Sequence, residues 1–144
     1  MPLRFIKARD TWPLRHKVLR PHQALEDCDL PNDRNPDSFH LAVMKDEVIA
    51  CIGSFYKENN PDLKGWKQYR LRGMATEPEL QGQGLGAQLI HFALDHLRAQ
   101  KADLLWCNAR ETAMPFYRIL GFTTHGDAFE ITGIGPHYLL SIKL

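Results

Sequence analysis

The segment Gln81-Gly-Gln-Gly-Leu-Gly86 constrains the fold more than any other stretch of the chain. It stands between a β-rich run, residues 69–76, and the clearest helical pattern in the sequence, residues 84–100. In that helix Gly86, Leu89, Ile90, Ala93 and Leu97 fall on one apolar stripe, with Gln88, His91, Asp95 and Arg98 on the opposite side. Three glycines let the backbone turn sharply and leave its N–H groups free of side chains. The first helical turn adds unpaired donors and the positive end of the helix dipole, and such a structure binds phosphate oxygens. The helix also acts as a crossover, so 69–76 and the next apolar run, 104–108, are expected to lie parallel.

The remaining elements are read around that unit. Residues 3–7 predict a short strand. Asp10 or Thr11 caps a helix with Pro13 in its first turn, ending near Arg20 because Pro21 disfavours helical geometry before it. The runs 39–45 and 48–55 meet at Asp46-Glu47 with the spacing of a tight hairpin. Residues 57–68 contain the turn chemistry Asn59-Asn-Pro-Asp62. A helix is expected over 113–120, with Thr112 as cap and Gly121 as its end. Residues 122–131 and 137–144 form a closing strand pair in which Tyr138, Leu140, Ile142 and Leu144 alternate toward one face. The order β-α-β-β-β-α-β-α-β-β predicts an α/β (α+β) fold: a mixed, mostly antiparallel twisted sheet of about six to seven strands with helices on both faces. At 144 residues, 44% of them hydrophobic, the chain reads as one domain, 1–144.

Several function classes are excluded by composition. Eighteen Lys and Arg against seventeen Asp and Glu argue against a nucleic-acid partner bound by overall charge. No apolar run approaches the roughly 20 residues of a membrane span, and the first ten residues lack a signal-peptide core. Cys28, Cys51 and Cys107 form no close pair, so a reduced, cytoplasmic setting is expected. The seven histidines contain no i,i+4 pair and no Cys-x-x-Cys occurs, so no metal is expected. Charge is nonetheless uneven. Residues 1–20 carry six Lys or Arg and one Asp, whereas residues 21–50 carry two against seven acids. The acidic part centres on 26–37, readable either as a solvated loop facing the basic first helix or as a rim attracting cationic substrates.

Gly82-x-Gly84-x-x-Ala87 formally satisfies a dinucleotide pattern. Two features oppose that reading. The run 69–76 contains Arg70 and Arg72, unlike the apolar central strand of a parallel sheet, and Asp103 precedes the following strand instead of ending it. No Gly-Lys-Ser/Thr follows, so a P-loop is excluded. The residues instead resemble the GNAT superfamily of acetyl-CoA-dependent N-acetyltransferases. Its signature Arg/Gln-x-x-Gly-x-Gly/Ala is matched by Gln81, Gly84 and Gly86, and its Ala-x-x-Phe-Tyr followed by Gly-Phe by Ala113, Phe116, Tyr117, Gly121 and Phe122.

The resemblance implies that acetyl-CoA is the co-substrate and that its pantetheine arm enters between the two splayed parallel strands. It would pair there with Gly73, Met74 and Ala75, while Gln81, Gly82, Gln83, Gly84, Leu85 and Gly86 would hold the pyrophosphate. Tyr117 takes the place of the family's general acid to the departing thiolate. The glutamate that histone-type relatives carry twelve residues before the signature is Tyr69 here, leaving Glu111 and His137 as base candidates by type and position. The asparagine slot on the following strand holds Arg110, with Asn108 two residues earlier, and either could contact cofactor or acceptor. Arg72 and Arg110 could clamp a carboxylate of an amino-acid-like acceptor. The acceptor, a small-molecule or peptide amine, is expected opposite the cofactor, between a wall of first helix and acidic loop and a wall around His137. A homodimer is a candidate assembly. The alternative is a catalytically silent CoA-binding or interaction module of the same fold.

Overall fold

The computed structural model describes residues Met1–Leu144 and holds seven strands in one sheet, ordered β1-β2-β3-β4-β5-β7-β6. β1 (Leu3–Ile6), β2 (Phe39–Lys45), β3 (Val48–Lys57) and β4 (Gln68–Thr76) pair antiparallel in succession. β5 (Leu104–Arg110) runs parallel to β4, and β7 (Gly135–Lys143) lies antiparallel between β5 and β6 (Thr123–Ile131). Strand number, element order and the single parallel pair agree with the sequence expectation. The β2–β3 hairpin turns on Asp46 and Glu47 with φ of 51° and 64°, the positive values that a two-residue turn matching strand twist requires. No helix is long and apolar enough to cross a membrane.

Two helical layers cover the sheet. α1 (8–19) is less regular than its sequence suggests: a 3₁₀ turn over Ala8–Thr11, an α turn over Trp12–Leu14 and a π turn over Arg15–Leu19. Pro13 contributes no N–H at the start. The wide last turn closes through the Arg20 N–H, which reaches the carbonyls of Arg15 (3.0 Å) and His16 (3.3 Å). α2 (Leu85–Ala99) lays Leu85, Leu89, Ile90, Ala93 and Leu97 on Leu41, Val43, Phe55, Leu71 and Leu105. Each buried Leu, Ile, Val or Phe among them stabilises the fold by about 1.5–3 kcal/mol. On the other face Leu14 of α1 packs with Ala42, Met44, Ile52 and Ala75. α3 (Met114–Ile119) follows a 3₁₀ turn at Glu111–Ala113, and no side chain caps it, so the expected Thr112 cap is not formed.

The position of the site is set by an irregularity in β4. Ile52 pairs with Ala75 and Ser54 with Arg72, so Gly73 and Met74 together face Gly53. The extra residue is accommodated because Gly73 adopts a φ of +65°, and such a bulge bends its strand. β4 and β5 pair only from Gln68–Arg70 to Leu104–Trp106, whereas β5 continues along β7 as far as Arg110 opposite His137. Beyond Trp106 the two parallel strands therefore part, and one edge of β4 from Leu71 onward has no strand partner.

Candidate active site

A cavity of about 660 Å³ fills the opening between the parted strands, within the range of small-molecule sites. It gathers Arg72, Gly73 and Met74 from β4, Asn108 and Arg110 from β5, Tyr117 from α3 and His137 from β7. The C-terminal end of α1 with the following residues, and the turn at Gly133-Ile134, close the other sides. The first helix and the closing strand pair thus form walls as expected. The acidic loop does not: of residues 26–37 only Leu30 reaches the cavity.

Asp33 explains that difference. It is 4% exposed and bound to Arg15 of α1, so it cannot act as a rim charge. Arg15 Nη1 and Nη2 donate to its two carboxylate oxygens at 2.7 and 3.1 Å, and the Tyr56 hydroxyl and the Leu30 N–H (3.0 Å) donate as well. Arg15 Nη2 also donates to Ser54 Oγ (2.8 Å), whose hydroxyl in turn faces His40 Nδ1 at 2.7 Å. Asp29 pairs with Arg34. The network ties the loop to α1 through Arg15, which itself lines the cavity. The uneven charge of residues 1–50 was the only sequence signal for it.

The glycine turn lies outside the cavity. Gly84 caps α2 with a φ of 82° and Gly82 has a φ of 79°. From Gly82 through Ala87 no backbone N–H donates to another protein group, and a Cβ at Gly82 or Gly84 would meet nothing within 4 Å. A row of open donors therefore stands at the N-terminus of a 15-residue helix. Gly86 has a different task. A Cβ there would sit 3.0 Å from Phe116 Cζ and 3.2 Å from Met74 Cε, so its absence lets α2 approach α3 and the β4 bulge. Leu85 offers only its backbone, since its side chain belongs to the core, and Gln81 Nε2 reaches the Thr76 carbonyl at 3.3 Å.

Tyr117 is 6% exposed, with its ring against Phe116 and Phe122 at centroid distances of 5.0 and 5.3 Å. Burial, reinforced by the nearby Cys107 and Cys51, raises its pKa well above the ordinary phenol value. The phenol keeps its proton at neutral pH and can offer it to a group entering the cavity. His137 Nδ1 lies 2.9 Å from the Gly135 carbonyl. A carbonyl only accepts, so Nδ1 carries the hydrogen and Nε2 of the neutral ring keeps its lone pair. Glu111 is exposed and does not line the cavity. Tyr69, twelve residues before Gln81, is buried in the core and its hydroxyl donates to the Asp37 carbonyl at 3.2 Å.

Residues 15–137 match a family model described as the acetyltransferase (GNAT) domain. The chain belongs to the GNAT acetyltransferases. This GNAT protein is 38% identical over 140 residues to the uncharacterized N-acetyltransferase YitI of Bacillus subtilis (strain 168), covering 97% of this chain and 94% of YitI. It is an N-acetyltransferase by that kinship. Among solved structures, Escherichia coli ElaA superposes with a TM-score of 0.78 at 15% identity, covering 97% of both chains. An aminoglycoside 6'-N-acetyltransferase complexed with coenzyme A also reaches 0.78, at 11% identity, over 99% of this chain and 97% of its own. These two share this chain's fold, and the second of them holds coenzyme A. The open donors at Gly82–Ala87 and the unpaired edge of β4 fit such a group.

Proposed function

We propose that this GNAT protein, acting as a single catalytic domain, transfers an acetyl group from acetyl-CoA to the primary amine of a small molecule or peptide. The observation that carries the reading is the parting of β4 and β5 beyond Arg70 and Trp106, with Tyr117 inside the opening. The free edge at Gly73, Met74 and Ala75 can pair with the amides of a pantetheine arm. The N–H groups of the glycine turn, with Gln81 and Gln83 beside them, suit a pyrophosphate. Asn108 and Arg110 line the cavity with no hydrogen bond to another side chain and can contact either cofactor or acceptor. Three buried, unpaired thiols suit a reducing cytoplasm.

The bound acetyl-CoA supplies an activated thioester carbonyl. Nitrogen attack forms the C–N bond and breaks the C–S bond, and Tyr117 gives its proton to the departing sulfur. A lysine-like ammonium is neutral in only about one molecule in 2,500 at pH 7, equivalent to about 4.6 kcal/mol, so a proton acceptor is needed first. His137, which lines the cavity, is the candidate for that task, and Glu111, which does not, is set aside. The products are the amide, the CoA thiol and one proton.

A thiol-release assay over pooled amines, polyamines, amino acids and peptides tests the reading, with acetyl-CoA-dependent release for at least one pool expected. CoA binding without release from any pool would favour the silent module. The turn gives an independent check. Gly84→Val forces a β-branched residue into the left-handed region, at about 1–2 kcal/mol or more, and re-aims the open donors. Acetyl-CoA affinity measured by titration should fall about tenfold or more in a protein that remains folded. Unchanged affinity would separate the turn from the cofactor.

A further inference from the structure

Building on the acetyl-transfer reading, we propose that the acceptor is an amine carrying its own carboxylate, an amino-acid-like molecule, and that Arg72 holds the carboxylate. The cavity is lined by Arg15, Arg20, Arg72 and Arg110 and by no aspartate or glutamate. Arg15 is already neutralised by Asp33, and Arg20 Nη1 donates to Gln23 Oε1 at 3.2 Å. Arg20, Arg72 and Arg110 are left without a carboxylate partner, and of these only Arg20 is held by another side chain. Arg72 is the more telling, because it is half-buried and its guanidinium makes no hydrogen bond within the protein. Burial lowers its pKa and Arg70 and Arg20 lower it further, while Tyr56 and Glu58 offset part of that. Glu58 is ion-paired with Arg70 and not with Arg72, so a partly desolvated guanidinium with no bonded anion faces the cavity lining and gains when a carboxylate joins it.

The same charges work against the opposite substrate class. A polyamine or a lysine-rich tail would enter a cavity whose nearest charges repel it, and the acids of residues 26–37 face elsewhere. Position sets the reach of the acceptor. Arg72 immediately precedes Gly73, where β4 bulges and its free edge faces the opening. A carboxylate on Arg72 therefore lies one residue from the strand segment assigned to the pantetheine arm, which favours a short separation between carboxylate and amine. A guanidinium binds a carboxylate through two parallel N–H donors, fixing the orientation of the amine as well as its charge.

The experiment compares L-amino acids with their own carboxamides, first by thermal-shift binding and then by thiol release with acetyl-CoA. At least one amino acid should bind and turn over with kcat/KM about tenfold or more above its carboxamide. Arg72→Gln should abolish that preference by raising KM for the acid, while acetyl-CoA affinity stays at the wild-type value. Binding of acids without turnover of any amine would uphold the carboxylate site and defeat the acetyl-transfer reading. Turnover of carboxamides or plain amines as fast as acids would overturn the proposal while leaving acetyl transfer intact. Absence of binding by every acid, or loss of acetyl-CoA affinity in Arg72→Gln, would also overturn it.

Discussion

Tyr117→Phe is expected to lower kcat by about 10²–10⁴-fold, the usual contribution of a general acid, with acetyl-CoA affinity nearly unchanged. The substitution removes one oxygen and leaves the ring contacts with Phe116 and Phe122 in place. The phenol, whose pKa burial raises, is protonated at neutral pH and so is available to a thiolate that forms beside it. A less acidic leaving thiol should need the acid more, so the loss should be smaller with a thioester of a more acidic thiol. Steady-state kinetics with both esters reads this directly. If the variant lost stability or cofactor binding while kcat held, Tyr117 would be a packing residue of the core.

Asp33→Ala is expected to reduce folding stability by about 3–5 kcal/mol, the cost of leaving a buried guanidinium without its partner. Both side chains are almost wholly buried, at 1% exposure for Arg15 and 0% for Asp33, so solvent does not screen the pair. For a chain of this size the midpoint of thermal unfolding should drop by about 10 °C or more. The pair also sets an acid limit. Burial by itself raises the Asp33 carboxyl, but hydrogen bonds from Arg15 and Tyr56, the Arg15 charge and the Leu30 N–H hold it below its ordinary value. Its contribution is present above the unfolded carboxylate pKa of about 3.9 and is lost as pH falls through the lower folded value. Asp33→Asn should remove that acid-side decline, measured by denaturant unfolding across pH. His40, whose pKa burial lowers, adds a separate decline that begins as pH falls below about 6.5, the ordinary imidazole value.

The contrast between Tyr117 and Asp33 marks what could be read from the chain alone. The glycine turn was legible because Gly82 and Gly84 take backbone angles that other residues resist, and α2 because its buried stripe repeats at helical spacing. Tyr117 was legible through its motif. The parting of β4 and β5 was expected from family resemblance, but its cause, the bulge at Gly73 and Met74, leaves only one glycine inside a strand as its trace. The Arg15–Asp33 pair left less. Asp27, Asp29 and Asp33 look alike in a loop without periodicity, and only the fold decides that one is buried. Of the two readings of the loop, the attracting rim has the wrong sign for a site whose lining is cationic, and the loop facing the basic first helix agrees with the Arg15–Asp33 pair. His137 and Glu111 were equivalent as bases by type, and the cavity separates them because the β5–β7 register carries His137 opposite Arg110.

Calorimetric titration of the intact protein with acetyl-CoA, and in parallel with NAD, tests the central claim most directly. The open donors of Gly82–Ala87 and the free edge of β4 should give one saturable site for acetyl-CoA, weakened in Gly84→Val, and no heat with NAD. Saturable binding of NAD with no response to acetyl-CoA or CoA would contradict the account.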